Sequence, residues 1–201
     1  MGRKKSYDRD ALIDKSVEMF RDHGFAGAST QMLVEGLGVN RYSLYAEFGS
    51  KQALFDAALE RYDARVIDRN FGPLETPGAG VAEVRSLFEF YALASDSPAW
   101  GRGCLLCNTA VEFGPDDPSG SEFVQRYFTR LTNAFGAALQ NAVATGELRS
   151  AVDPVAEADF FTSAVLGLFV MLRAEAPAET IQRAAQVAIA HLEALGREAG
   201  R

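Results

Sequence analysis

The sequence predicts an all-α fold, and three observations carry that prediction. Apolar residues recur at spacings of three and four almost from end to end. Ser, Asn and Asp stand where such runs begin, and glycines stand where several of them stop. No stretch alternates apolar and polar residues as a half-buried strand would, and there is no internal repeat or low-complexity tract. The reading is about nine helices, arranged as a three-helix N-terminal domain and a larger helical C-terminal domain.

The first helix starts near Asp8 and turns Leu12, Ile13, Val17, Met19 and Phe20 inward, with Gly24 following it as the residue just past its end. Ser29 is a good N-cap for a short second helix over Thr30–Leu37, which carries Met32, Leu33 and Leu37. Gly38 ends that helix and Val39 fills the turn. Asn40 then caps a third helix, Arg41–Phe48. Gly49 breaks the chain again, and Ser50 caps a fourth helix with Leu54, Phe55, Ala58, Leu59 and Tyr62 on one face. Short helices joined by a tight glycine-containing turn form the helix-turn-helix pattern. The segment FGPLETPGAG (71–80) is rich in Pro and Gly and reads as a domain joint.

Beyond the joint, longer helices are expected near Val81–Ser95, Gly103–Phe113, Ser121–Thr145, Pro154–Ala174 and Ala178–Leu195. Pro154 fits a first helical position, with Asp153 as the cap before it. SPAWGRG (97–103) and GPDDPSG (114–120) read as loops. The boundaries that follow are 1–51 for the helix-turn-helix domain, 52–76 for the connecting helix and joint, and 77–201 for the second domain.

Composition narrows the class. Hydrophobic residues at 48% with charged residues at 23% suit a globular chain and argue against disorder. The opening MGRKKSYDRD lacks the apolar stretch of a signal peptide. The longest apolar run, Phe160 to Leu172, falls short of a membrane span of about 20 residues and reads as a buried or interface helix. With only Cys104 and Cys107, a disulfide scaffold is not expected, and the expected location is the cytoplasm. The net charge of −7 argues at first against nucleic acid. Residues 1–51, however, hold eight Lys or Arg against seven Asp or Glu, or +1, and the remaining 150 hold 12 against 20, or −8. A near-neutral head with a basic tip can still meet phosphates.

The stretch GVNRYSLYAEFGSK (38–51) carries the functional argument. A core helix would hold more aliphatic residues there, and a plain surface helix fewer aromatics. In a helix-turn-helix the second helix lies in the major groove, with its N-terminal residues at the base edges. Arg41 can bond guanine O6 and N7 together, and Ser43 can contact a base or a phosphate. Tyr42 and Tyr45 can lay rings on thymine methyls or donate to phosphate oxygens. Asn40 stands at the start of the same helix. Leu44 and Phe48 point inward. Thr30 offers a hydroxyl and a helix N-terminus to a phosphate, and Lys51 does so from the other side. Arg3, Lys4 and Lys5 form an arm able to enter a minor groove or neutralise backbone. Glu47 places an acid near the DNA, where it could accept from cytosine N4 or weaken the wrong sites.

Residues 8–59 resemble the DNA-binding domain of the TetR family of bacterial transcriptional regulators. The stretches that carry the likeness are ALIDKSVEMFRDHGFAGAST and LVEGLGVNRYSLYAEFGSKQALF. Phe20, Gly24, Phe25, Ser29, Thr30, Gly38, Val39, Asn40, Ser43, Leu44, Tyr45, Phe48, Lys51 and Leu54 stand in the family's order. The departures are Glu47, where many members carry His, and Met32-Leu33-Val34 in the second helix. The resemblance implies a homodimer on a palindromic double-stranded DNA operator, with the last two helices pairing across a two-fold axis and a small-molecule effector bound in the second domain. Leu166, Phe169, Val170, Ala185, Ile189 and Leu192 are the expected interface residues, on helices that are apolar around much of their circumference.

Phe88, Tyr91, Trp100 and Tyr127 are expected around an interior effector cavity, with Cys104 beside them and Asn108 and Glu112 to orient a polar group. Phe113, Phe128 and Phe135 fall on the same helices. GCLLCNTAVEF (103–113) resembles a C-terminal-domain signature of some TetR members, beginning G-C-L. Its C-x-x-C puts Cys104 and Cys107 on one helical face, and three chemistries fit. They are small buried thiols, a redox or electrophile switch with one thiol resolving the other, or a metal site, for which further ligands are missing. A thiol-sensing regulator therefore stays open beside the effector-released repressor, as does an activator. An enzyme or redox protein using the N-terminal domain for docking has only the two cysteines in its favour. No paired acid and base, phosphate loop or metal spacing is present, so no catalytic residue, metal or cofactor is assigned.

Overall fold

Local capping sets where the helices begin. In the computed structural model, which describes residues 7–93, 99–113 and 121–196, each expected cap accepts a backbone N–H. Asp8 receives Asp10 N at 3.0 Å, Ser29 receives Met32 N at 3.2 Å, Asn40 receives Ser43 N at 2.8 Å and Ser50 receives Ala53 N at 3.0 Å. The helices that follow are α1 (Arg9–Gly27), α2 (Thr30–Leu37), α3 (Arg41–Phe48) and α4 (Lys51–Tyr62). Helix α1 is broken at Gly24, whose φ of 70° and ψ of 178° leave the helical region, so Phe25–Gly27 form a separate last turn. Gly38 closes α2 in the left-handed conformation (φ 68°, ψ 30°), which favours glycine there.

Helix α4 does not stop at the end of the head. It runs through a π-helical turn, Asp63–Ile67, into the short α5 (Asp68–Phe71) and a 3-10 turn, Gly72–Glu75. The Pro/Gly segment that follows is a packed corner, with Phe71, Leu74 and Ala79 buried. The second part comprises α6 (Val81–Ala92), α7 (Leu105–Glu112), α8 (Ser121–Thr145), α9 (Pro154–Arg173) and α10 (Ala178–Ala194). Asp153 caps α9 through Val155 N at 3.0 Å, with Pro154 in the first turn. Helix α7 starts two residues later than the sequence suggests. Gly103 has φ 62°, and a Cβ there would stand 2.9 Å from the Phe169 carbonyl oxygen, so it must be a tight turn ahead of the helix. Among the described residues there is no strand beyond one isolated bridge, Leu148 to Gly196.

The core is continuous. Helix α4 packs on α1 and on α7, α6 packs on α10, and α8 packs on α9. A ring cluster joins the two parts: Phe25 lies 5.0 Å from Phe55 and 5.4 Å from Phe113, and Phe20 lies 4.8 Å from Phe55. Phe88, Phe135 and Phe161 stack deeper in the second part, between 5.6 and 6.3 Å apart. Helix α9 is long and apolar enough to cross a membrane by length and composition. Here it packs on α8 and α10 and leaves Val155, Phe160 and Val170 exposed.

Candidate nucleic-acid interface and interior site

Helix α3 is held from beneath and presented above. Leu44 and Phe48 are buried with Leu33 and Leu37 of α2, whereas Tyr42 is 84% exposed and Asn40 and Arg41 are exposed beside it. The Arg41 guanidinium sits 5.6 Å from the Tyr45 ring centroid, so the two side chains brace one another at the surface. The Tyr45 and Thr30 hydroxyls are 3.2 Å apart and tie the start of α2 to α3. That hydrogen bond pulls the Tyr45 phenol below its usual pKa, with the Arg41 and Lys51 charges acting the same way. Ser43 is half-buried, and its backbone N–H is the one that Asn40 caps. The expected contact residues Thr30, Asn40, Arg41, Tyr42, Ser43 and Tyr45 thus come together around one short helix. Arg3, Lys4 and Lys5 lie outside the described residues.

Two expectations about the head change. The Glu47 side chain is only 7% exposed and points under the helix, accepting from the Tyr7 hydroxyl at 3.2 Å with Arg9 Nε 3.5 Å away. It anchors the segment before α1 and does not face a base. Lys51 stands with Nζ 4.5 Å from the Phe25 ring centroid; burial lowers its pKa, offset in part by the charges of Glu112 and Tyr45. Its ammonium therefore lies against the end of α1, within reach of the Glu112 charge from the second part.

The residues expected around one effector cavity are not gathered there. Phe88, Tyr91, Cys104 and Tyr127 are buried in a packed interior, where Cys104 Sγ reaches the Tyr127 hydroxyl at 3.4 Å. Trp100 is half-buried in the turn before α7. Asn108 Nδ2 donates to the Arg102 carbonyl at 2.8 Å. Glu112 lies on the surface, where it receives Phe25 N at 2.9 Å and Ala26 N at 2.6 Å. Of the seven, Tyr91 borders an interior cavity of about 40 Å³, together with Arg21, Tyr62 and Asn70. Asn108 and Glu112 border a different, open cleft of about 290 Å³ beside His23 and Arg173.

Both cysteines are buried, and burial pushes the Cys107 thiol up to about 12. A thiol so raised carries almost no thiolate at neutral pH, the form that reacts. Among the described residues no cluster of His, Cys, Asp or Glu is suited to hold a metal.

Sequence reasoning missed the joint between head and body. Arg102, before α7, grips Glu18 and Asp22 of α1 with Nε and Nη1 at 2.5 Å. This pairing holds the Asp22 carboxyl below the usual carboxylate range. Arg173, at the end of α9, donates to the carbonyls of Arg21 at 3.1 Å and Asp22 at 3.2 Å, satisfying the last turn of α1 ahead of its break at Gly24. Arg21 itself is buried at 7% exposure. A charged residue four positions after Val17, on the inward stripe of α1, was the available signal.

The last two helices also divide differently from expectation. Phe169, Ala185 and Leu192 are buried within this one chain, so they cannot meet a second copy. Leu166 and Ile189 are half-buried and Val170 is 51% exposed. The outward stripe of α9 is instead Ala156, Phe160, Ser163, Gly167 and Val170, and on α10 it includes Ala184, Val187 and Ala190.

Comparison with known proteins agrees with this architecture. Residues 12–58 match the family described as bacterial regulatory proteins, tetR family, and residues 80–188 match the tetracyclin repressor-like C-terminal domain. The uncharacterized HTH-type transcriptional regulator YezE of Bacillus subtilis (strain 168) is 30% identical over 198 residues, covering 96% of this chain and 100% of that protein. The HTH-type transcriptional repressor ComR of Escherichia coli (strain K12) is 29% identical over 92% of this chain and 88% of its own. Among solved structures, a cysteine mutant of the TetR family regulator CifR complexed with 26-bp double-strand operator DNA superposes with a TM-score of 0.82. It is 25% identical and covers 94% of this chain and 98% of that one. With a head that presents α3, a helical body behind it and matches spanning both, the chain belongs to the tetR family of bacterial regulatory proteins and is a DNA-binding regulator of transcription.

Proposed function

We propose that the protein is a dimeric repressor that reads a palindromic operator with α3 and is released from it by a small-molecule effector. The observation that carries the reading is the build of α3, which buries Leu44 and Phe48 while presenting Arg41, Tyr42 and Tyr45 on the opposite side. Arg41 is suited to a guanine, and the hydroxyls of Thr30 and Tyr45 to neighbouring phosphates. One such helix reads a half-site, and two copies related by a two-fold axis read a palindrome. The apolar stripes of α9 and α10 support pairing, because Phe160, Val170 and Val187 are large apolar side chains left in water by a single chain. Gly167 in the middle of the stripe lets a second helix approach closely, with nothing of its own chain within 4 Å of a Cβ there.

Release requires an effector that prefers a conformation unfit for DNA. Arg102, Glu112 and Arg173 give such a preference a route, since all three bind the end of α1 from the second part. A regulator that must reach the chromosome works in the cytoplasm. The thiol-sensing alternative loses ground, because both thiols are buried and Cys107 is raised.

The test is selection of bound DNA from a random duplex pool at two salt concentrations. A palindromic motif whose affinity falls steeply with salt supports the reading. Enrichment of a single half-site, or of none, contradicts it.

A further inference from the structure

A cleft lies between α5 and α6. It encloses about 570 Å³ and is walled by Pro73, Leu74, Leu87 and Phe90, with Arg69 and Asn70 along one rim. Its volume is that of a small-molecule site. Leu74 and Leu87 are buried, whereas Phe90 is 43% exposed at the mouth. Behind this cleft is the inner cavity of about 40 Å³, lined by Arg21, Tyr62, Tyr91 and Phe169. Arg69, Asn70 and Phe90 border both spaces, so the two adjoin.

The two spaces differ in chemistry. The outer one is mostly hydrocarbon. The inner one ends on a guanidinium and two phenols. Arg21 reaches it with a side chain only 8% exposed, stacked 5.6 Å from the Tyr62 ring centroid and 3.7 Å from Glu18. Asn70 Nδ2 donates to the Tyr91 hydroxyl at 3.0 Å, which leaves that hydroxyl's own proton available to an acceptor. Arg69 and Arg21 give two positive charges beside the two spaces. The carboxylate bordering the outer space, Glu83, already receives Gly80 N at 2.7 Å.

We propose that these two adjoining spaces form the effector site, and that it takes an amphipathic monocarboxylate, with the chain against Leu74, Leu87 and Phe90 and the carboxylate on Arg21. The inner cavity holds a few heavy atoms, enough for a carboxylate head and not for a ring. A guanidinium beside an apolar cleft recognises such a head by charge-assisted hydrogen bonds. Arg21 belongs to α1, and its carbonyl is held by Arg173. Binding at this side chain therefore acts on the helix that carries the DNA-reading head. The assignment rests on the effector-released reading proposed above.

The test uses the full chain without DNA. Hexanoate, octanoate and decanoate are titrated by calorimetry beside the matching alcohols. The expected result is that a carboxylate binds roughly tenfold or more tightly than its alcohol, the size of one charged hydrogen-bonded contact. Arg21→Gln should close that gap and Arg21→Lys should keep part of it. Phe90→Ser, at an exposed position outside the core, should weaken acid and alcohol alike. Arg69→Gln should narrow the gap even if the Arg21 variants do not fold. No carboxylate binding, equal binding of acid and alcohol, or a gap unchanged in both Arg21→Gln and Arg69→Gln overturns the proposal. DNA release is then measured separately. Carboxylate binding without release leaves the site standing and overturns its effector role.

Discussion

Glu112 holds Phe25 from across the molecule: its Oε2 receives the Phe25 N–H at 2.9 Å, although the residues lie 87 positions apart. Its other oxygen takes Ala26 N at 2.6 Å, so one carboxylate satisfies two amides just past the break in α1. Replacing Glu112 with Ala should destabilise the protein by about 1 kcal/mol, a figure suited to an exposed charged contact. For a chain of this size that is a fall of about 2–4 °C in Tm. Thermal unfolding followed by circular dichroism checks it, and an unchanged Tm would show that water replaces the carboxylate at no cost.

Arg41 and Lys51 should separate by role. Arg41→Ala should lose discrimination between operator and random DNA, about 1–3 kcal/mol for one base contact. Lys51→Ala should weaken both DNAs alike and flatten the salt dependence. Binding curves on the two DNAs at several salt concentrations decide this. Equal loss on both DNAs for both variants would contradict the assignment.

Acid should loosen the joint between head and body. The Arg102 hydrogen bond lowers the Asp22 pKa below its ordinary 3.8. A depressed carboxylate stabilises the fold above its ordinary value, and that stability is lost as pH falls through the folded-state value. Asp22 is 42% exposed, so solvent screening keeps the effect small. Denaturant midpoints at about pH 6 and about pH 3 should fall more for the parent protein than for Arg102→Gln, which has no pairing to lose. A parallel fall in both would sink the idea.

The head was legible because its signals are local. A Ser, Asp or Asn two or three residues from the amide it caps is visible in the chain, and the expected caps at Asp8, Ser29, Asn40, Ser50 and Asp153 all accept backbone N–H groups. Periodicity marks an apolar stripe but does not say what covers it. Phe169 and Val170 are neighbours on one helix, yet the first is 2% exposed and the second 51%. Glu112, Arg102 and Arg173 act over separations of about 80 to 150 residues, for which a single sequence holds no spacing rule. Glu47 was misplaced for the same reason, since its partner Tyr7 is 40 residues away.

Pairing of two copies should fail when the outward stripe is charged. Val187→Glu changes a residue 67% exposed in the single chain and leaves its core untouched. Combined with Phe160→Glu it should give a monomer by sedimentation, with normal helicity and little operator binding. A stable dimer in the double variant would place the interface elsewhere.

Peroxide should not act through the buried thiols. The double variant Cys104→Ser, Cys107→Ser should release operator DNA in peroxide no differently from the parent, because both thiols are buried away from the oxidant and Cys107, pushed up to about 12, is also protonated at neutral pH. Release confined to the parent would restore the thiol-sensing reading.

The grip of the body on the end of α1 bears on how the protein can be re-engineered. A head cut out after Lys51 would lose Phe55, which packs on Phe20 and Phe25, along with Arg102, Glu112 and Arg173. Such a fragment has rings facing water and carbonyls without donors. The reading head is therefore not a transplantable cassette. A chimera that grafts it onto another sensor must carry the receiving surface with it: the turn bearing Arg102, the end of α7 and the last residue of α9.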